Sequence, residues 1–246
     1  MPTTSLIRAQ VEAQLSGRVT APFVQRVSAE KALRPTGIDS IDALTGGIPC
    51  GAITEIVGSA WCSAGRKSLQ MQLLAGAARE TFCALVDATD SFDPKSAEAA
   101  GVNLRRLLWI RCAGDAMKGL EEAFKSADLL LQGSGGFGLL IVDLATMPQK
   151  YVRRIPMSTW FRFRAVVEKL PTALVFVTTY PVLGTCSNLT LHLTGGRVRW
   201  SQHALEPPAH TRLAMAVDFE VRIAARRSLK KPSQAVRVFT AQRQWA

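Results

Sequence analysis

Ile53-Thr-Glu-Ile-Val-Gly58-Ser-Ala-Trp-Cys-Ser-Ala-Gly65-Arg66-Lys67-Ser68-Leu69 decides the fold: an apolar, β-branched run, a loop of small residues, and the opening of a helix. That succession is the setting of a phosphate-binding loop, in which backbone N–H groups wrap an anion at a helix N-terminus and glycine permits close approach. The sequence form is G-x-x-x-x-G-K-[ST], with Lys on the β/γ-phosphates and the hydroxyl on magnesium. This chain departs from it in spacing and in identity. Six residues separate Gly58 from Gly65, and Gly65 is followed by Arg66, Lys67 and Ser68.

Outward from this loop the pattern alternates. Ile53–Val57, Phe82–Asp87, Leu107–Arg111, Leu139–Asp143 and Ala173–Thr178 are short apolar runs that read as buried parallel strands. Helical periodicity fills the gaps at Leu69–Arg79, Lys95–Ala100, Leu120–Leu131 and Trp160–Leu170. Strand–helix alternation predicts an α/β fold, a mostly parallel twisted sheet flanked by helices. Leu189–Leu193, Val198–Trp200, Phe219–Ile223 and Val236–Phe239 alternate with period two around a turn signal at Gly195-Gly196, so antiparallel strands are expected at the C-terminal edge. Near the start, Ile7, Val11 and Leu15 recur at i, i+4 and i+8 and form one face of a short helix. The expected organisation is an N-terminal helix and extended linker over 1–34, a core over 35–201, and a loop, edge strands and basic tail over 202–246.

The 246 residues hold 30 Lys plus Arg against 19 Asp plus Glu, a formal net charge of +11, with 48% hydrophobic residues. That apolar share offsets chain entropy and excludes disorder for most of the length. Residues 1–150 balance 15 basic against 15 acidic side chains, so the whole excess lies in 151–246, where only Glu168, Glu206, Asp218 and Glu220 are acidic. From Arg222 onward Arg226, Arg227, Lys230, Lys231, Arg237 and Arg243 meet no acidic residue, which suits a polyanion or an acidic protein surface, or equally a solvated tail. Arg153, Arg154, Arg162 and Arg164 flank Trp160, Phe161 and Phe163. Bases could stack there while arginines track phosphates. The i, i+3, i+7 spacing of Trp160, Phe163 and Val167 favours a buried stripe instead, leaving mostly electrostatic binding of DNA or a partner.

No apolar run approaches the ~18 residues of a membrane helix, and Arg8 and Glu12 interrupt any secretory pattern, so a cytoplasmic protein without a membrane partner is expected. Cys50, Cys62, Cys83, Cys112 and Cys186 form no C-x-x-C pair and read as reduced thiols. His192, His203 and His210 have no carboxylate or Cys at ligand spacing, so neither a metal site nor a catalytic residue is expected.

Pro35-Thr-Gly-Ile-Asp-Ser-Ile-Asp-Ala-Leu-Thr-Gly-Gly-Ile-Pro-Cys-Gly51, running into Ala52 to Gly58, resembles the entry to the first core strand of the RecA family, a phosphate-loop NTPase fold. Gly65-Arg-Lys-Ser-Leu-Gln-Met-Gln-Leu73 is similar to the loop exit, Leu85-Val-Asp-Ala-Thr-Asp-Ser-Phe-Asp-Pro94 and Ala100-Gly-Val-Asn-Leu-Arg-Arg-Leu-Leu108 to the segments that follow, and Leu139-Leu-Ile-Val-Asp143 to the strand ending in the magnesium-orienting Asp. The resemblance covers roughly residues 35–195. By it, Arg66 stands at the phosphate Lys, Lys67 at the magnesium-ligand Thr, and Thr89 at the catalytic Glu; the γ-phosphate sensor falls on Thr178 or Thr179. Gly58, Gly65, Arg66, Lys67, Ser68 and Asp143 then make a degenerate nucleotide or anion site. No cofactor is expected beyond weak ATP binding, and three readings stay open: an empty loop, binding without turnover, and hydrolysis.

The segments corresponding to the two long DNA-holding loops of recombinases are short here, so strand exchange is not expected. A compact RecA-like core with this loop, a short N-terminal helix and a basic C-terminus resembles the ImuA family, RecA-like accessory proteins of bacterial damage-induced (SOS) translesion synthesis. That resemblance implies a non-catalytic adaptor working with an ImuB-like polymerase homologue, an error-prone DNA polymerase and RecA, while the basic residues make single-stranded DNA a candidate ligand. The Ile7, Val11 and Leu15 face would dock on another RecA-fold subunit, including a second copy, or on its own core. The alternatives are a RecA-like regulator of RecA filaments or cell division, or a weakly ATP-binding DNA-binding protein.

Overall fold

The computed structural model describes residues 31–58, 65–112, 114–133, 136–201, 214–226 and 236–242. Ile7, Val11, Leu15, Arg227, Lys230, Lys231 and Arg243 lie outside the described residues. In chain order the elements are β1 (Leu33–Arg34), α1 (Asp39–Thr45), β2 (Ile48–Pro49), β3 (Ala52–Gly58), α2 (Arg66–Glu80), β4 (Phe82–Asp87), α3 (Pro94–Ala99), β5 (Leu107–Arg111), α4 (Ala116–Gln132), β6 (Phe137–Asp143), α5 (Gln149–Val152), α6 (Met157–Val167), β7 (Ala173–Thr178), β8 (Leu189–Trp200), β9 (Ala214–Arg226) and β10 (Val236–Gln242). β1 and β2 pair antiparallel in a small sheet.

The main sheet has the order β10-β9-β8-β3-β7-β6-β4-β5. From β8 to β5 every neighbouring pair is parallel, whereas β9 and β10 join antiparallel. This is the α/β arrangement that the alternation predicts. β3 and β7 are buried along their whole length because helices cover both faces, which is why they read as unbroken apolar runs rather than alternating ones.

Each face of the sheet has its own core. On one side Leu69 and Leu73 of α2 pack with Ile56, Leu85, Ile141 and Val175. On the other, Trp160, Phe163 and Val167 of α6 pack with Leu174 and Phe176 of β7. The Phe176 ring lies 5.1 Å from Trp160 and 5.6 Å from Phe163, in edge-on geometries that suit aromatic quadrupoles. Trp160 and Phe163 are therefore core side chains, and Phe161, on the opposite side of the helix, is 47% exposed.

Two expectations need correction. Leu107–Arg111 reads as a buried strand, yet β5 closes the sheet order and leaves Leu108 43% exposed; apolar content does not reveal which strand lies at an edge. Gly195-Gly196 is not a turn. β8 runs straight through it with a register shift between Thr194 and Gly196, a bulge in which Gly195 takes φ +26°. Gly196 is needed there because a Cβ would lie 2.7 Å from Val217 Cγ1.

The packing leads to a paired prediction. Phe176→Ala should lower unfolding free energy by about 3–5 kcal/mol, while Phe161→Ala should change it by no more than about 0.5 kcal/mol. Denaturant titration followed by circular dichroism reads both, and equal losses would show that the aromatic core is wrongly assigned.

Candidate functional site

Because β3, β4, β6 and β7 are parallel, Gly58, Asp87, Asp143 and Thr178 arrive at the same end of the sheet. Ligands of open parallel sheets bind at this end. Residues 59–64 lie outside the described residues, and Gly65 re-enters in the left-handed region, φ +76°, as the N-cap of α2 with no side-chain cap. Gly65 has no side chain with which to cap the first turn of α2, and a glycine at this place is also what a phosphate loop uses.

The two cations that follow are engaged within the protein. Arg66 is buried, and its guanidinium donates to the carbonyl oxygen of Gly58. Lys67 Nζ lies 2.5 Å from Asp143 Oδ2 and donates to Ser91 Oγ at 2.8 Å. Asp143 is only 1% exposed, and its Oδ1 accepts the N–H of Ala145 at 3.0 Å. Ser91 in turn donates to Asp87 Oδ1 at 3.4 Å, and Asp87 Oδ2 accepts the N–H of Phe92 at 2.8 Å. A continuous chain therefore runs Asp87–Ser91–Lys67–Asp143, with the ammonium where a divalent cation would neutralise Asp143. Magnesium needs oxygen ligands in near-octahedral array. These residues do not fit a magnesium-bound triphosphate: the hydroxyl ligand is replaced by a like charge, and the carboxylate is already neutralised. Thr89 supplies no carboxylate either; its hydroxyl bonds that of Thr146.

The structure places Gly58, Gly65, Arg66, Lys67 and Asp143 at the same end of the sheet, with Ser68 on the first turn of α2; sequence reasoning named these residues. It missed Asp87 and Ser91, although Asp87 ends its strand as Asp143 does. It also missed Glu55, the one acid in the β3 run. Glu55 Oε1 accepts the N–H groups of Val182 and Leu183 at 2.7 and 3.3 Å and the Thr178 hydroxyl at 3.4 Å, while Oε2 has no partner among the described residues. Glu55 thus anchors the loop that leaves β7. Burial pushes its carboxyl up from 4.5 to about 7, against the lowering effect of those bonds.

Beyond the ends of β4, β5 and β6 lies an open crevice of about 620 Å³ lined by Thr89, Asp90, Arg111, Cys112, Thr146 and Met147. Arg111 pairs with Asp90 through two bonds, which hold the Asp90 carboxyl below its usual value. Among the described residues no group of His, Cys, Asp and Glu is placed to hold a metal.

The basic residues are spread over several elements. Arg153 lies over the Tyr180 ring at 5.2 Å, and Arg154 is exposed beside it. Arg162 pairs with Asp128 at 2.6 Å and Arg164 with Glu168 at 2.8 Å. Arg222 is exposed on β9 opposite His192, and the backbones of Arg226 and Arg237 belong to β9 and β10.

Two outcomes check this geometry. Lys67→Ala should cost about 1–3 kcal/mol, because it strands a buried carboxylate while the lysine itself is partly hydrated; Lys67→Ala combined with Asp143→Ala should recover part of that loss in a double-mutant cycle. For Glu55 the folded pKa lies above the unfolded one, so its contribution is fully present below pH 4.5 and is lost as pH rises to about 7. Glu55→Gln should therefore flatten the pH dependence of stability over that window by up to about 3 kcal/mol. Unfolding midpoints of both proteins across the window decide it, and parallel curves would refute the assignment.

A profile of the RecA N-terminal domain family matches residues 12–152, from before β1 through β6 to α5. Protein RecA of Salinispora tropica is 30% identical over 141 residues, 56% of this chain and 38% of that protein. Protein RecA of Marinobacter nauticus is 38% identical over 99 residues, 40% of this chain and 26% of that protein. Protein RecA of Rubrobacter xylanophilus is 31% identical over 137 residues, 54% of this chain and 38% of that protein. The aligned stretches thus span well under half the length of these relatives, and the family match ends at residue 152, before half of the basic residues. With the mostly parallel sheet, the match places the chain in the RecA N-terminal domain family.

Proposed function

We propose that this RecA-family chain works as a non-catalytic adaptor in DNA-damage-induced translesion synthesis rather than as an ATP-driven recombinase. The observation that carries the non-catalytic half is the Lys67–Asp143 ion pair. Phosphoryl transfer in this class of fold rests on a metal, a phosphate-binding Lys and a water-orienting group acting together. Here the metal's carboxylate is held by an ammonium, the cation at the Lys position is turned onto the Gly58 carbonyl, and the water-orienting position is Thr89. With the phosphate chemistry removed, what the fold retains is its surface.

The adaptor half draws on the resemblance to the ImuA family and on the charge distribution, a balanced 1–150 and a 151–246 segment holding the whole excess of +11. A near-neutral core with a basic remainder suits recruitment to an acidic protein surface or to DNA. The partners that follow are an ImuB-like polymerase homologue, an error-prone DNA polymerase and RecA, with single-stranded DNA held mainly by electrostatics.

Titration with labelled ATP should give no magnesium-dependent binding in the micromolar range and no turnover; turnover lost in Arg66→Ala would overturn the non-catalytic reading, and binding without turnover would overturn only the reading of an empty loop. Purified chain should retain the ImuB-like homologue in a pull-down. Retention of RecA alone would favour the filament-regulator reading instead. Any affinity for single-stranded DNA should fall steeply with salt, since phosphate contacts release counterions.

A further inference from the structure

The outer face of α6 is accounted for neither by the crevice at the strand ends nor by the two cores. Burying Trp160, Phe163 and Val167 turns Met157, Phe161 and Ala165 outward, at i, i+4 and i+8. Met157 is 44% and Phe161 47% exposed, and neighbours at this spacing lie one above the other on a helix. Basic residues flank the stripe in sequence, Arg154 three positions before Met157 and Arg162 next to Phe161. Arg154 makes no ion pair among the described residues, and the Arg162 side chain stays 55% exposed although it pairs with Asp128. Over residues 150–169 the basic side chains are Lys150, Arg153, Arg154, Arg162, Arg164 and Lys169, against Glu168 alone.

We infer that this face docks an acidic amphipathic segment of a partner protein, with aliphatic anchors on Met157 and Phe161 and carboxylates on Arg154 and Arg162. The inference deepens the adaptor reading and depends on it for its biological sense. An apolar stripe read at i and i+4 is what a helical peptide offers and recognises. Arginine matches carboxylates through paired N–H donors.

Charge selects the occupant. Residues 1–30 carry Arg8, Arg18 and Arg26 against Glu12 and Glu30, and the charged side chains of residues 227–246 are all basic, so neither end of the chain complements the arginines. A second copy, at net charge +11, is repelled for the same reason. Single-stranded nucleic acid complements the charge, but it would use exposed apolar side chains only as successive aromatic faces on which bases stack. Trp160 and Phe163 are buried at 1% and 0% exposure, which leaves Phe161 between an aliphatic Met and an Ala. The acidic protein segment therefore fits better.

The test uses the full chain, fluorescence anisotropy and three labelled probes: a synthetic Glu/Leu/Ala helix with Leu at i, i+4 and i+8, a peptide of the same composition with Leu scattered, and an oligothymidylate. The patterned peptide should bind saturably and about 10-fold tighter than the scattered one, in line with ~1.4 kcal/mol from the anchors. Phe161→Ser and Met157→Ser should each remove most of that preference, and Arg154→Glu should weaken binding and reduce its salt dependence. All three positions are exposed, so folding is expected to survive and circular dichroism confirms it. Absent peptide binding, binding indifferent to Phe161→Ser and Arg154→Glu, or selective loss of oligothymidylate binding in these variants overturns the inference. A pull-down separates it from the adaptor reading: equal retention of the ImuB-like homologue by wild type and Phe161→Ser sinks this face and leaves the adaptor standing. Peptide discrimination without retention of any proposed partner sinks the adaptor and leaves the face.

Discussion

The ammonium of Lys67 lies 2.5 Å from Oδ2 of Asp143, a carboxylate that is almost wholly buried. A buried carboxylate in a parallel sheet needs a positive partner, because leaving it alone costs several kcal/mol. A divalent cation and a lysine are alternative ways of meeting that need, and they exclude each other by charge and by space. Once the lysine is covalently part of α2, neutralisation no longer depends on a ligand. Ser91 and Asp87 extend the arrangement to the end of β4, so the loops after β4 and β6 are tied to the start of α2 by the protein itself.

The same end of the sheet shows a second internal tie. Glu55 holds the backbone of Val182 and Leu183 from the middle of β3, so the loop leaving β7 is fixed by a carboxylate with one oxygen left unpaired. Both ties are made by side chains projecting from strands or a helix start, which hold position more precisely than loop residues would. The loop contacts at this end of the sheet are thus carried by the protein's own side chains, which is in keeping with the adaptor role proposed above.

Much of this was readable from the residues. The strands were visible because β3, β6 and β7 are covered on both faces and so appear as continuous apolar runs. The spacing of Trp160, Phe163 and Val167 identified the core stripe of α6. What escaped reading depended on pairing between distant segments. Nothing local distinguishes β5, an edge, from β6, an interior strand. Gly195-Gly196 has a turn's composition, but its role is a bulge that accommodates Val217 and Phe219 from the neighbouring strand. Ser91 is an ordinary loop serine until Lys67, 24 residues earlier, is placed beside it.

The most direct measurement is calorimetric titration of ATP, with and without magnesium, into the wild-type chain and into Arg66→Lys/Lys67→Thr, which restores a phosphate-binding lysine and an oxygen ligand beside Asp143. The expected result is a wild type indifferent to magnesium and a double variant that acquires magnesium-dependent binding. Magnesium-dependent ATP binding by the wild type as tight as that of the double variant would contradict the claim that Lys67 occupies the place of the metal.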